Sequence, residues 1–238
     1  MDKILRLHQK GMDKLMNKKY IVALFGAAGA GKDTIQKEIV KQSPYLCHEI
    51  ISSTTRPPRE YEQDYVDYHF ISDTESQKYL DNGDYLEYAE FRGWRYGTLK
   101  NSLRSDKINI GVFNISGVKQ LLQLPWNEYI ILPIYITCSD KTRLLRQLNR
   151  EVNPDCEEIC RRFKTDKEDL DSKNINFHHF IVENEHNEIS ALVQNDILPW
   201  LYETVLLELI QGGYLTPNED SVFQSKRSFG QNDIILTE

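Results

Sequence analysis

The stretch Gly26-Ala27-Ala28-Gly29-Ala30-Gly31-Lys32-Asp33-Thr34 follows an unbroken apolar and aromatic run at residues 20–25. A short run with no charged side chain fits a strand buried on both faces of a parallel sheet. The glycines then let the backbone curl so that successive N–H groups point inward, and the helix start that follows adds positive potential to this nest. The spacing GxxxxGK with a polar pair after it is that of a phosphate-binding loop. Residues Gly26 through Thr34, including Ala27, Ala28, Gly29, Ala30 and Gly31, are therefore expected to bind ATP. Lys32 would reach its β and γ phosphates, and Thr34 would support the phosphate or Mg²⁺ end. The alternative is a glycine-rich turn with a surface lysine; the strand, the spacing and the lysine together weigh against it.

Working outward, further strands are expected at 47–51, 85–91, 108–113, 129–137 and 177–182. Helical stretches fall at 34–40, 118–122, 141–150 and 157–171. This alternation predicts an α/β fold, a mostly parallel sheet with helices on both faces. Residues 52–98 break the alternation, being rich in tyrosine, arginine and proline, and read as an insertion rather than another βα unit. A last amphipathic helix is expected over 189–209, kinked or restarted at Pro199 and ended by Gly212 and Gly213. Residues 1–19 read as a short amphipathic helix packed on the domain, and 214–238 as a polar tail without a catalytic role.

The chain has 238 residues, enough for one α/β domain with small insertions. Twenty-nine basic against thirty-six acidic residues give a net charge of −7, so no global positive field favours nucleic acid or an anionic membrane. No stretch approaches the ~18 apolar residues of a membrane span. Four cysteines make no disulfide framework in a chain of this size and fit a reducing, cytoplasmic compartment. Cys156 and Cys160 share a helix face, but no histidine or second cysteine pair accompanies them to complete a zinc site. The basic N-terminus lacks both a secretory apolar core and a small-residue cleavage site, and Asp2 and Asp13 argue against a mitochondrial presequence.

Arg56 and Arg59 sit three apart on a proline-stiffened segment with tyrosines nearby. Guanidinium forks and phenols suit a monophosphate dianion; the bland reading is an exposed basic loop paired with Glu60 and Glu62. The wider context decides between them. Ser52-Ser53-Thr54-Thr55-Arg56-Pro57-Pro58-Arg59, running on to Asp67-Tyr68-His69-Phe70, and then Glu87-Tyr88-Ala89 with Tyr96-Gly97-Thr98, resemble the acceptor region of the guanylate kinase family. The likeness runs from about residue 20 to the last helix. It implies a P-loop NTPase fold with a small mixed-β acceptor-binding insertion at about 52–98 and a helical lid at about 139–165, all within a unit spanning 20–213. By position, Arg56, Arg59, Tyr68 and Tyr96 would bind the acceptor phosphate, with Glu62 orienting the arginines. Ser52 and Thr98 would donate to guanine O6, and Glu87 would accept from N1–H and the exocyclic amine.

Arg146 and Arg150 are spaced to share a helix face, and Arg162 follows in the next helix. The resemblance makes these lid arginines that close over ATP and, with Lys32, act catalytically; alone they would more often be a solvated face. Residues 180–184 resemble the strand that helps hold the adenine. The implied activity is transfer of the γ-phosphate of ATP to GMP or dGMP, with Mg²⁺ as cofactor and nucleotides as the only expected partners. Three departures stand out. Asn114 and Ser116 replace an aspartate-x-aspartate, Asp33 replaces a serine, and Tyr61 and Tyr65 occupy places that are commonly glycine. Asp33 becomes a candidate metal group acting through water, or simply a favourable charge at a helix N-terminus. The competing functions are a kinase of the same fold with relaxed base choice and a non-catalytic interaction module. The second would commonly lack the loop lysine or glycines, which this chain keeps.

Overall fold

The computed structural model describes residues 18–211 apart from 61, 151 and 187. Most of the expected N-terminal helix, Tyr61, the glycine pair at 212–213 and the whole tail lie outside the described residues.

Strand β1 (Lys19–Phe25) leads through the glycine loop into helix α1 (Lys32–Gln42) and strand β2 (Cys47–Glu49). The acceptor-like insertion then supplies β3 (Ser53–Thr54), β4 (His69–Phe70), α2 (Asp73–Asp81), β5 (Tyr85–Phe91) and β6 (Trp94–Leu99). The main sheet resumes with β7 (Ile108–Val112), α3 (Ile115–Leu121), β8 (Tyr129–Thr137), α4 (Asp140–Leu148), α5 (Cys156–Asp169) and β9 (Phe180–Glu183). Its order is β2-β7-β1-β8-β9, with every pairing parallel. The insertion carries a separate sheet, β4-β3-β6-β5, in which β3 pairs parallel with β4 and antiparallel with β6.

The apolar run of β1 divides its side chains between two cores. Val22 and Leu24 join Ile35, Ile39, Ile134 and Leu201 on one face. Ile21, Ala23 and Phe25 join Ile50, Phe113, Val118 and Leu121 on the other. This two-sided burial is why the run shows no alternation.

Three expectations change. Helix α2 lies in the insertion, where no helix is expected; Ser72 accepts from the Glu75 N–H while the Glu75 carboxylate accepts from the Ser72 N–H at 2.9 Å, a capping box written in the sequence. Strand β9 begins at Phe180 rather than residue 177. Phe177 and His179 instead turn in to pack on Phe25. The last helix is continuous in course, α6 (Ile189–Leu192) passing through a π-helical turn (Val193–Ile197) into α7 (Leu198–Gln211). Leu198 N–H reaches Val193 O, five residues back, and this wider turn admits Pro199, which has no N–H to give. No helix among the described residues is long and apolar enough to cross a membrane.

Candidate active site

The glycine loop is held from outside by side chains of later elements. Asn184, buried just after β9, donates from Nδ2 to Ala30 O at 2.8 Å. From α4, Gln147 Nε2 donates to Ala28 O at 3.3 Å and Arg146 Nη1 to Gly29 O at 3.4 Å. From α5, Asp166 Oδ2 accepts from the Ala28 N–H at 2.8 Å. Gly29 and Gly31 have φ of +81° and +93°, and a Cβ on either would meet Arg143 O or Asn184 Nδ2 at 2.5 Å. Only glycine fits both the angle and the space.

Lys32 is the first residue of α1, and its Nζ folds back onto Gly26 O at 2.9 Å and Ala27 O at 3.0 Å. Burial pushes its pKa down, an effect opposed by the nearby charges of Asp33 and Asp166. Asp33 and Thr34 are exposed at the mouth of the loop. Burial raises the Tyr68 pKa, and the Asp33 charge adds to that effect.

In the insertion the structure brings the expected acceptor residues together. Glu62 accepts from Arg56 Nη2 at 2.9 Å and from the Arg59 N–H at 2.8 Å. The Arg56 guanidinium lies 5.6 Å from the Tyr68 ring centre, and the Tyr68 and Tyr96 rings meet edge to face at 6.2 Å. Ser52 Oγ lies 3.1 Å from Thr98 Oγ1. Glu87 faces Thr98 across the β5–β6 ladder. Burial raises the Glu87 pKa, while hydrogen bonds from the Thr98 hydroxyl and N–H pull it back. Gly117 in α3 leaves room for this carboxylate, since a Cβ there would lie 3.1 Å from Glu87 Oε2.

The departures acquire physical content. Asn114 Oδ1 accepts from the Gly117 N–H at 2.7 Å and so caps α3. Ser116 Oγ lies 3.5 Å from Gln120 Nε2. Tyr65 has φ 59°, a conformation glycine adopts freely, and its ring stacks on His69 at 4.1 Å.

The lid arginines need correcting. Helix α4 ends at Leu148 with Asn149 as its cap, so Arg150 lies beyond it and shares no helix face with Arg146. Arg146 braces the loop, donating to Gly29 O and, at 2.8 Å, to Asn184 O. Asn184 likewise holds the loop. Arg162 is on α5, with its Nε donating to Glu158 Oε1 at 2.7 Å. Cys156 and Cys160 are exposed free thiols, and no cluster of three or more metal-ligating side chains occurs among the described residues.

Three residues went unread in the sequence: Arg143, its partner Asp166, and Glu185. Arg143, its side chain 4% exposed, pairs with Asp166 at 3.1 Å and Asp140 at 3.0 Å and lies 3.8 Å over the Phe163 ring. A cleft of about 200 Å³ opens beside this pair, lined in part by Ala27, Thr137, Cys138 and Lys167. Glu185 fixes the start of α4, accepting from the Ser139 N–H and Oγ, each at 2.7 Å, and from the Thr142 hydroxyl. Those bonds, the Ser139 N–H first, hold its pKa at about 2 against the usual 4.5. The folded value is the lower one, so this stabilisation is present above the unfolded pKa and is lost as pH falls through about 2. Glu185→Gln is expected to melt below the native protein at neutral pH, with the difference shrinking between about pH 5 and about pH 2. Thermal melts across that range check it, and a constant difference would show that charge plays no part in this anchor.

The guanylate kinase family model matches residues 17–198. The chain belongs to the guanylate kinase family. Among its relatives, a guanylate kinase from Malacoplasma penetrans is 32% identical over 202 residues, covering 82% of this chain and 98% of the relative. A Homo sapiens guanylate kinase is 30% identical over 157 residues, 63% of this chain and 77% of that one. The crystal structure of guanylate kinase from Anaplasma phagocytophilum superposes with a TM-score of 0.52 at 17% identity, covering 81% of this chain and 87% of that chain, and supports the shared fold. Guanylate kinase relatives favour the guanylate kinase reading over the relaxed-kinase and interaction-module alternatives.

Proposed function

We propose that the protein transfers the γ-phosphate of ATP to GMP or dGMP, giving the diphosphate. The observation that carries the acceptor assignment is the buried Glu87 carboxylate beside Thr98 and Ser52, on the insertion that also holds Arg56, Arg59 and Tyr68. One carboxylate accepts from both the N1–H and the 2-amino group of guanine, while hydroxyls answer O6. Adenine presents an acceptor at N1 and a donor at C6, leaving these buried groups unpaired. The kinase unit spans 20–213, with the acceptor insertion at about 52–98 and a lid at about 139–165, in a cytoplasmic protein.

The attacking acceptor phosphate is ionised at neutral pH, so no protein general base is required. The chain supplies position and positive charge: the loop amides and Lys32 at the donor phosphates, Arg56 and Arg59 at the acceptor, and Arg162 from the lid. Closure of α5 over the site would keep water from the phosphoryl group.

Mg²⁺ fits the donor set, since Asp33 and Thr34 offer hard oxygen ligands at the loop mouth and the nucleotide phosphates would complete its shell. It would offset negative charge on the phosphates. Asp33 would hold it through water, in place of a carboxylate that Asn114, committed to capping α3, does not provide. Asp33→Ser is expected to raise the Mg²⁺ concentration for half-maximal rate several-fold, on the order of the loss of one charged ligand-shell contact. Mg²⁺ titrations of both proteins check this; an unchanged requirement leaves Asp33 only its helix-end role.

The function is tested by turnover with ATP against a panel of ribo- and deoxynucleoside monophosphates. GMP or dGMP should lead and AMP should be poor. Faster phosphorylation of TMP or CMP would overturn the guanine assignment.

A further inference from the structure

The β5–β6 hairpin tip, which takes no part in the acceptor contacts above, reaches the first turns of α5. Arg92, at the tip with φ 53°, donates from Nη2 to Glu158 Oε2 at 2.7 Å. The same carboxylate accepts from Arg161 Nε at 2.7 Å, Arg161 Nη2 at 2.9 Å and Arg162 Nε at 2.7 Å. The Phe91 ring lies under two of these guanidiniums, 5.4 Å from Arg92 and 5.5 Å from Arg161. Three cations from two elements thus converge on one carboxylate whose side chain is only 17% exposed.

The hairpin and the helix carry opposite halves of the site. Strand β5 presents Glu87, and β6 presents Tyr96 and Thr98. Helix α5 presents Arg162 and, through Asp166, touches the donor loop. The Arg162 Nε bond to Glu158 ties that guanidinium to the joint. A lone exposed ion pair contributes little. A carboxylate shared by three arginines over an aromatic ring is a fixed joint, because forked donors lose less freedom per bond formed.

We propose that Glu158 is a positioning residue that joins the acceptor hairpin to the lid helix, so that acceptor and ATP each strengthen the binding of the other. An acceptor that steadies the hairpin holds Arg92 on Glu158, which holds α5 and its arginine over the donor. ATP that orders α5 does the reverse, by the reciprocity of linked binding. The inference rests on the kinase reading above.

The test is calorimetric binding of GMP with and without a non-hydrolysable ATP analogue, for the native protein, Glu158→Gln, Arg92→Ala and the double variant. In the native protein the analogue should tighten GMP roughly five- to tenfold, within the usual range of site-to-site coupling. Each single variant should bring that ratio close to one while leaving the GMP Kd without analogue unchanged, and the double variant should be no worse than either. A merely structural contact would lower Tm and leave the ratio alone. If Glu158→Gln does not melt cooperatively, Arg92→Ala on the exposed tip carries the test. A native ratio of one, or a ratio that survives in the variants, overturns the joint alone. Failure of GMP to bind the native protein overturns the kinase reading and the joint with it.

Discussion

Lys32→Ala is expected to stay folded and to lose roughly two or more orders of magnitude in kcat, the usual cost of deleting one well-placed electrostatic group. The side chain contributes little to the core; it lies along the loop with its ammonium on two backbone oxygens, Gly26 O and Ala27 O. The loop itself keeps its outside supports from Asn184, Gln147 and Asp166. What the variant loses is a cation at the donor phosphates, where negative charge is redistributed as the phosphoryl moves. Burial disfavours the charged form of this amine while the Asp33 and Asp166 charges favour it, and bound nucleotide phosphates would add to the second effect. Near-normal kcat in a correctly folded Lys32→Ala protein would remove the phosphate-loop assignment; steady-state rates with matched melting curves decide it.

Glu87→Gln should cut discrimination for GMP over AMP by about 10²-fold, with ATP affinity nearly unchanged. The amide replaces one of two acceptor oxygens by a donor, which would face the N1–H or 2-amino group of guanine inside a buried site. An unmatched buried polar group costs about 1–3 kcal/mol, more when a charge is involved, and polar sites discriminate through such mismatches. The donor loop makes no hydrogen bond to Glu87, whose described partner is Thr98. Comparison of kcat/KM for GMP and AMP, with a separate measurement of ATP binding, checks both halves. Equal losses for the two acceptors would mean that Glu87 supports the hairpin rather than reads the base.

The central sheet and the loop were legible because each is written locally. β1 is an apolar run that ends in glycines, and its partner β8 matched its expected span residue for residue, as did β5 in the insertion. Helix α2 was equally local, since Ser72 and Glu75 spell its cap, but its mostly exposed surface left little apolar periodicity to notice. The end of α4 was misplaced by two residues because nothing in the sequence around Asn149 marks a stop as strongly as glycine or proline would. That small shift separated Arg150 from Arg146. Arg143, Asp166 and Glu185 were beyond sequence reasoning for a different reason: their partners lie 23, 138 and 46 positions away, at contacts created by packing.

One of those contacts makes the backbone report on motion. An amide hydrogen bonded to another element exchanges with solvent only during the moments when that bond is open. The Ala28 N–H is bonded to Asp166, which α5 carries, so its rate of deuterium uptake records each departure of that helix from the loop. The protein thereby contains its own clock for helix opening, readable at a single peptide group without a label, a substrate or a substitution.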